Sequence, residues 1–220
     1  MDRAGVASGD AVGVQWPREL GVWLLLLASG LWPWLLTAAE TGLTVWIWLS
    51  LWAPVAGTLS TGLKRSRWAW SIPLLWGLAL LYGPPSATYP LRGALVVAAL
   101  YFAGSVSCPG GAWAWSRAGL WLLLGSLLCA LPAAGGVWAA LPPSNWVSAS
   151  LDLSPVVLVC EHAGFDWMRH ISVYEQAGAG DLGPEQRMAW SGARLPWLAF
   201  GFFACLALLR RGQKPSTLPG

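Results

Sequence analysis

Long apolar runs, broken by prolines, glycines and a few clusters of Lys and Arg, are what most limit how this chain can fold. They cover residues 20–39, 43–63, 68–82, 91–107, 118–140 and 195–209. A helix needs about 20 mostly apolar residues to cross the hydrocarbon core of a bilayer. The third, fourth and sixth runs fall short of that length, and flanking residues such as Trp190 and Ala193 extend the last one. Ionisable residues stay at the edges of the runs, as Glu19, Glu40 and Arg92. A soluble domain carries about a quarter charged residues. This chain carries 10% and is 56% hydrophobic, so a fully water-solvated surface is not expected. The expected fold is all-α: a polytopic transmembrane helix bundle of about six spans, with short amphipathic helices in an outer loop between spans five and six.

Prolines inside the runs (Pro33, Pro54, Pro73 and Pro132) do not exclude helices. In a membrane bundle, neighbouring helices can satisfy the carbonyls that proline frees. Small residues recur four apart, as in Gly57 and Thr61, Ala94 and Ala98, Ala99 and Ala103, and Ser126 and Ala130, a spacing that lets helices approach closely. Many of the 18 tryptophans lie near run ends, among them Trp23, Trp68, Trp113 and Trp197. Interfacial anchoring or helix packing explains that placement.

Basic residues orient the chain. With the N-terminus inside, one side receives Arg3, Arg18, Lys64, Arg65, Arg67, Arg117, Arg210, Arg211 and Lys214, and the other receives Arg92, Arg169, Arg187 and Arg194. Excess Lys and Arg mark the cytoplasmic side. Both termini are then cytoplasmic, in a bacterial inner membrane. The domain reading is a polar tail at 1–18, a five-span region at 19–140, an extracytoplasmic segment at 141–194, a sixth span at 195–209 and a tail at 210–220. The first tail is not read as a cleavable signal, because the following run is too long and more spans come after it.

Span interiors free of charge disfavour a proton-coupled transporter and an intramembrane protease, which place ionisable groups within the bilayer. Haem or chlorophyll ligation would need histidines in the spans. The two in the chain, His162 and His170, lie in the outer segment. No glycine loop with the Lys of a phosphate cradle is present, so no ATPase resides in this chain. Nucleic-acid binding is not expected.

The outer segment gathers the chemistry-bearing residues. Ser154 is placed as an N-cap with Pro155 at the first helical position and Gly164 as the stop. Asp166 then caps a second helix with Trp167, Ile171 and Tyr174 on one face. Both are read as surface helices. The candidate catalytic residues are Glu161, His162, Asp166 and His170. Neighbours such as Glu161 and His162 point apart on a helix, and His162 and His170 are separated by Gly164, so no metal site and no cofactor are expected. Cys160 with either histidine is a nucleophile pair of non-specific spacing. The four cysteines form no Cys-x-x-Cys, and no structural disulfide is expected.

Six spans, cytoplasmic termini and the phrase "LDLSPVVLVCEHAG" before the last span resemble the membrane subunits (permeases) of type-2 ABC exporters. In that family a similar phrase opens a re-entrant or amphipathic outer helix. The resemblance implies a permease-like fold and a separate cytoplasmic ATPase as partner. Such permeases press on the ATPase through a coupling helix between spans two and three, where this chain has only "LKRSR". A reduced permease and a partner subunit are both open. The expected function is an integral membrane subunit of a multi-chain, transport-associated complex. Its partners are the lipid bilayer and other membrane subunits or copies of itself. The alternative is a membrane-embedded enzyme with an extracytoplasmic His/acid site.

Overall fold

The structure is a computed structural model that describes residues 15–36, 42–63, 66–82, 87–108, 113–130, 153–165 and 194–212. All regular structure among them is helical: α1 (Gln15–Leu36), α2 (Gly42–Ser60), α3 (Ser66–Tyr82), α4 (Pro90–Ser107), α5 (Ala114–Ala130), α6 (Pro155–Ala163) and α7 (Leu195–Gly212). The all-α expectation holds, and α1 to α5 and α7 fall on the six apolar runs. α1 starts earlier than its run, and α5 begins about one turn before residue 118. One described helix, α4, is both long and apolar enough by itself to cross a membrane; α3, α5 and α7 give shorter apolar stretches.

Named contacts fix the helix directions. Trp23 of α1 meets Trp68 and Ser71 at the start of α3, while Trp76 of α3 meets Leu27 and Gly30 of α1. Both positions rise together, so α1 and α3 run parallel. Tyr101 meets Ala69, and Gly77 meets Ala94, so α3 and α4 are antiparallel. Trp46 lies on Gly93 and Pro54 on Gly104, so α2 and α4 are parallel. α5 begins beside Ser107 at the end of α4, through Arg117 and Trp121, and its far end reaches Ser154 and Val156 of the α6 segment. The first five helices therefore alternate in direction. α6 sits at the end of the bundle where α2 and α4 begin and α5 finishes.

Two of the internal prolines explain two long-range hydrogen bonds. Proline lacks an N–H, so Pro33 frees the carbonyl of Ser29 and Pro73 frees that of Ala69. The Trp48 indole donates to the Ser29 carbonyl at 2.8 Å. The Tyr101 hydroxyl donates to the Ala69 carbonyl at 2.7 Å. Each carbonyl that a proline frees is thus met by an aromatic donor from a neighbouring helix. Tryptophan does more here than anchor: Trp76 is fully buried, with its ring laid against Gly30.

A close backbone approach joins α2 to α4. A Cβ on Gly57 would lie 1.9 Å from the Tyr101 carbonyl oxygen, and one on Gly104 would lie 2.0 Å from that of Pro54. Only glycine permits this crossing. Thr58 adds a hydroxyl that donates to the Pro54 carbonyl at 2.8 Å and lies 3.3 Å from that of Gly104. Of the small-residue pairs marked in the sequence, Gly57 belongs to this contact, where it faces the Tyr101 carbonyl.

α5 packs the other way round. Its buried residues are Ala114, Ala118 and Gly125, while Leu120, Leu122, Leu123, Leu124 and Leu127 are exposed. α7 repeats the theme: Ala204 and Ala207 are buried, and Leu198, Phe202, Leu208 and Leu209 are exposed.

Candidate functional site

α6 forms where the sequence places it. Ser154 is extended and Pro155 occupies the first turn, but the Ser154 side chain makes no capping bond; its hydroxyl is buried beside the Cys129 thiol. Gly164 ends the helix with φ 80°, in the left-handed region that glycine tolerates. Its N–H bonds the Glu161 carbonyl, and the Phe165 N–H bonds that of Cys160 at 2.9 Å, the paired bonds of a Schellman stop.

The surface-helix expectation for α6 is corrected. Six of its nine residues are buried, Val156, Val157, Val159, Cys160, His162 and Ala163, and Glu161 is the exposed position. α6 is wedged against α2, α4 and α5. Its last residue, Ala163, rests on Gly93, where a Cβ would stand 2.7 Å from that of Ala163 and 2.6 Å from the Trp46 ring. The Tyr89 N–H, just ahead of α4, donates to the Ala163 carbonyl at 2.8 Å, and the Thr88 hydroxyl donates to that of Gly164 at 3.3 Å. The end of one helix is therefore closed by the start of another.

His162 directly precedes Ala163 at this joint. It is 5% exposed, and its Nδ1 lies 2.8 Å from the Leu158 carbonyl. A carbonyl only accepts, so Nδ1 carries the proton and Nε2 of the neutral ring is a bare acceptor. Nε2 is buried and has no hydrogen-bond partner. Burial pushes the His162 pKa below its ordinary value; the Leu158 bond opposes this, and the Arg92 charge adds to it. The ring is neutral at pH 7. Arg92, in the first turn of α4, stacks over the half-exposed Tyr89 ring at 4.5 Å.

Of the four sequence candidates, the described residues include Glu161 and His162. Glu161 is exposed and His162 buried, pointing apart as adjacent helical positions must. Asp166 and His170, with the second helix expected around Trp167, Ile171 and Tyr174, lie outside the described residues. No group of three potential metal ligands occurs among the described residues. Cys160 is fully buried, and burial together with the Glu161 charge drives its thiol far above the usual range, so it is no thiolate nucleophile at neutral pH. What sequence reasoning missed is Arg92, Tyr89 and Thr88. They lie 70 or more positions from His162 and share no motif with it, so no sequence signal links them.

A concavity of about 290 Å³ opens between α3, α4 and α7, with Trp70, Leu74, Leu91, Ala98, Phe102 and Phe200 among its walls. Those walls offer contact to hydrocarbon and no group for chemistry. No protein-family model, curated protein or solved structure matches the chain.

Proposed function

We propose that the chain is an integral membrane subunit of a multi-chain, transport-associated complex, permease-like and without an ATPase of its own. The observation that carries the membrane reading is the inverted packing of α5, with small residues inward and leucines outward. In water, leucines exposed along one helix would cost stability and solubility. In lipid they are at home, while small residues let helices pack closely. The alternating directions of α1 to α5 agree with successive crossings. α6, beside the ends of α2, α4 and α5 that this topology puts outside, agrees with an outer cap. Aromatic donors on the proline-freed carbonyls agree with an interior that offers no water.

The bundle holds six crossings in this reading, with both termini cytoplasmic in a bacterial inner membrane. The cap role of α6 favours a structural subunit over an enzyme, because its buried histidine and exposed glutamate do not share a site. Lipid and other membrane chains, or further copies of this one, are its partners, with a separate cytoplasmic ATPase as the energy source of the complex.

Reporter fusions at Gln176 and Gln213 test the topology: opposite compartments are expected, and the same compartment would rule out six crossings. Purification in mild detergent tests the assembly. Recovery with further membrane chains and an ATPase is expected, and recovery of this chain alone would remove the subunit reading.

A further inference from the structure

We propose that His162 makes the joint between α6 and the start of α4 an acid-sensitive latch, closed while the ring is neutral and released when it gains a proton. The inference rests on the geometry of α6. It draws on the membrane reading only for the side of the bilayer that the latch faces.

Four features meet at this joint. The α6 end is held to α4 by the Tyr89 N–H on Ala163 and the Thr88 hydroxyl on Gly164. The Gly93 and Gly164 contacts leave no slack there, since a Cβ on Gly164 would lie 2.7 Å from Thr88 Cβ. His162 is buried, with its single acceptor site unpartnered. Arg92 adds a positive charge on the α4 side of the same joint.

A proton on Nε2 would create an N–H with no acceptor and a second cation near Arg92. Burying an unpaired charge is costly, and turning α6 out into water relieves both penalties. The other titratable groups of the joint do not offset this. Glu161, the adjacent carboxylate, lies on the exposed side of α6, while Cys160 and Cys129 are thiols, neutral in the acid range. α2 presents Trp46 to the joint, which does not titrate. The α6 carbonyls near its end favour a cation. Ala163 and Gly164 have donors from the α4 segment, and Glu161 and Cys160 are taken by the Gly164 and Phe165 N–H groups.

Hydrogen exchange on the full-length protein in detergent, corrected for intrinsic rates, reads the latch directly. Protection of peptides covering 153–165 and 88–93 should fall by up to about tenfold per pH unit as the pH drops below the ordinary histidine value near 6.5, until the closed joint also binds the proton. Peptides covering 96–104 should stay protected throughout. His162→Gln, neutral at every pH, should keep both joint peptides protected at the acid end. Arg92→Gln should make the acid loss smaller, because it removes a charge that holds the folded pKa down, and it serves as the second variant should His162→Gln fail to fold. Unchanged protection of the wild type in acid would overturn the latch. So would an identical acid loss in His162→Gln, or in Arg92→Gln where only that variant folds. None of these outcomes depends on a transport partner, so failure of the latch and failure of the subunit reading are distinguishable.

Discussion

α4 and α5 are neighbours in the chain and alike in apolar character, yet they occupy opposite environments. α4 is buried along most of its length, through Gly93, Val97, Tyr101, Phe102 and Gly104. α5 buries only Ala114, Ala118 and Gly125 and turns its leucines out. The difference lies in what surrounds them. α4 is crossed by α2, α3, α6 and α7, while α5 leans mainly on α2. A centre helix needs glycines wherever backbones cross. A rim helix needs small residues on one face and is free to carry leucines on the other.

The sharpest way to break this contrast is a glycine substitution on each helix. Gly104→Val would drive two methyl groups into the Pro54 carbonyl, where even a Cβ would sit at 2.0 Å. Overpacking costs about 1–3 kcal/mol where side chains can give way and more where backbone blocks them, so about 3 kcal/mol or loss of folding is expected. Gly119→Leu on α5 meets nothing within 4 Å and should stay within about 0.5 kcal/mol of wild type. Denaturant titration in detergent measures both. Equal effects would erase the distinction between centre and rim.

Tyr101→Phe probes the polar side of the centre. It strips the donor from the Ala69 carbonyl that Pro73 frees. An unsatisfied buried carbonyl costs about 1–3 kcal/mol. Adding Pro73→Ala supplies an N–H that can bond Ala69 within α3, so the double variant should recover part of that loss. Additive losses would show that the hydroxyl does not serve the carbonyl freed by Pro73.

A smaller effect comes from pH at the α4–α6 joint. The His162 pKa is lowered in the folded protein, so the unfolded chain takes up the proton first as pH falls. Stability is full above the ordinary histidine value near 6.5. Below it, stability drops by at most about 1.4 kcal/mol per pH unit, until the folded protein also binds the proton. Thermal unfolding across that window should show this slope, and His162→Gln should flatten it. The smallest change belongs to the rim: Leu123→Ala on α5, at a side chain 68% exposed, should shift stability by under about 0.5 kcal/mol. A loss of the size expected for a core leucine, about 2–5 kcal/mol, would mean that another chain covers this face.

The sequence by itself determined the helices and the limits of α6. Apolar runs with charges only at their edges set the all-α class, and Pro155 and Gly164 restrict backbone angles whatever surrounds them. That is local physics, legible from one residue and its neighbours. Only the tertiary structure decided which runs form the centre and which the rim, that α6 is a wedge instead of a surface helix, and that Trp48 and Tyr101 donate to the carbonyls freed by Pro33 and Pro73. It also separated Glu161 from His162 and set Arg92 and Tyr89 beside the α6 end. Those outcomes depend on crossings between segments far apart in the chain, where backbone distance and the supply of hydrogen-bond donors decide. No spacing within one run encodes them.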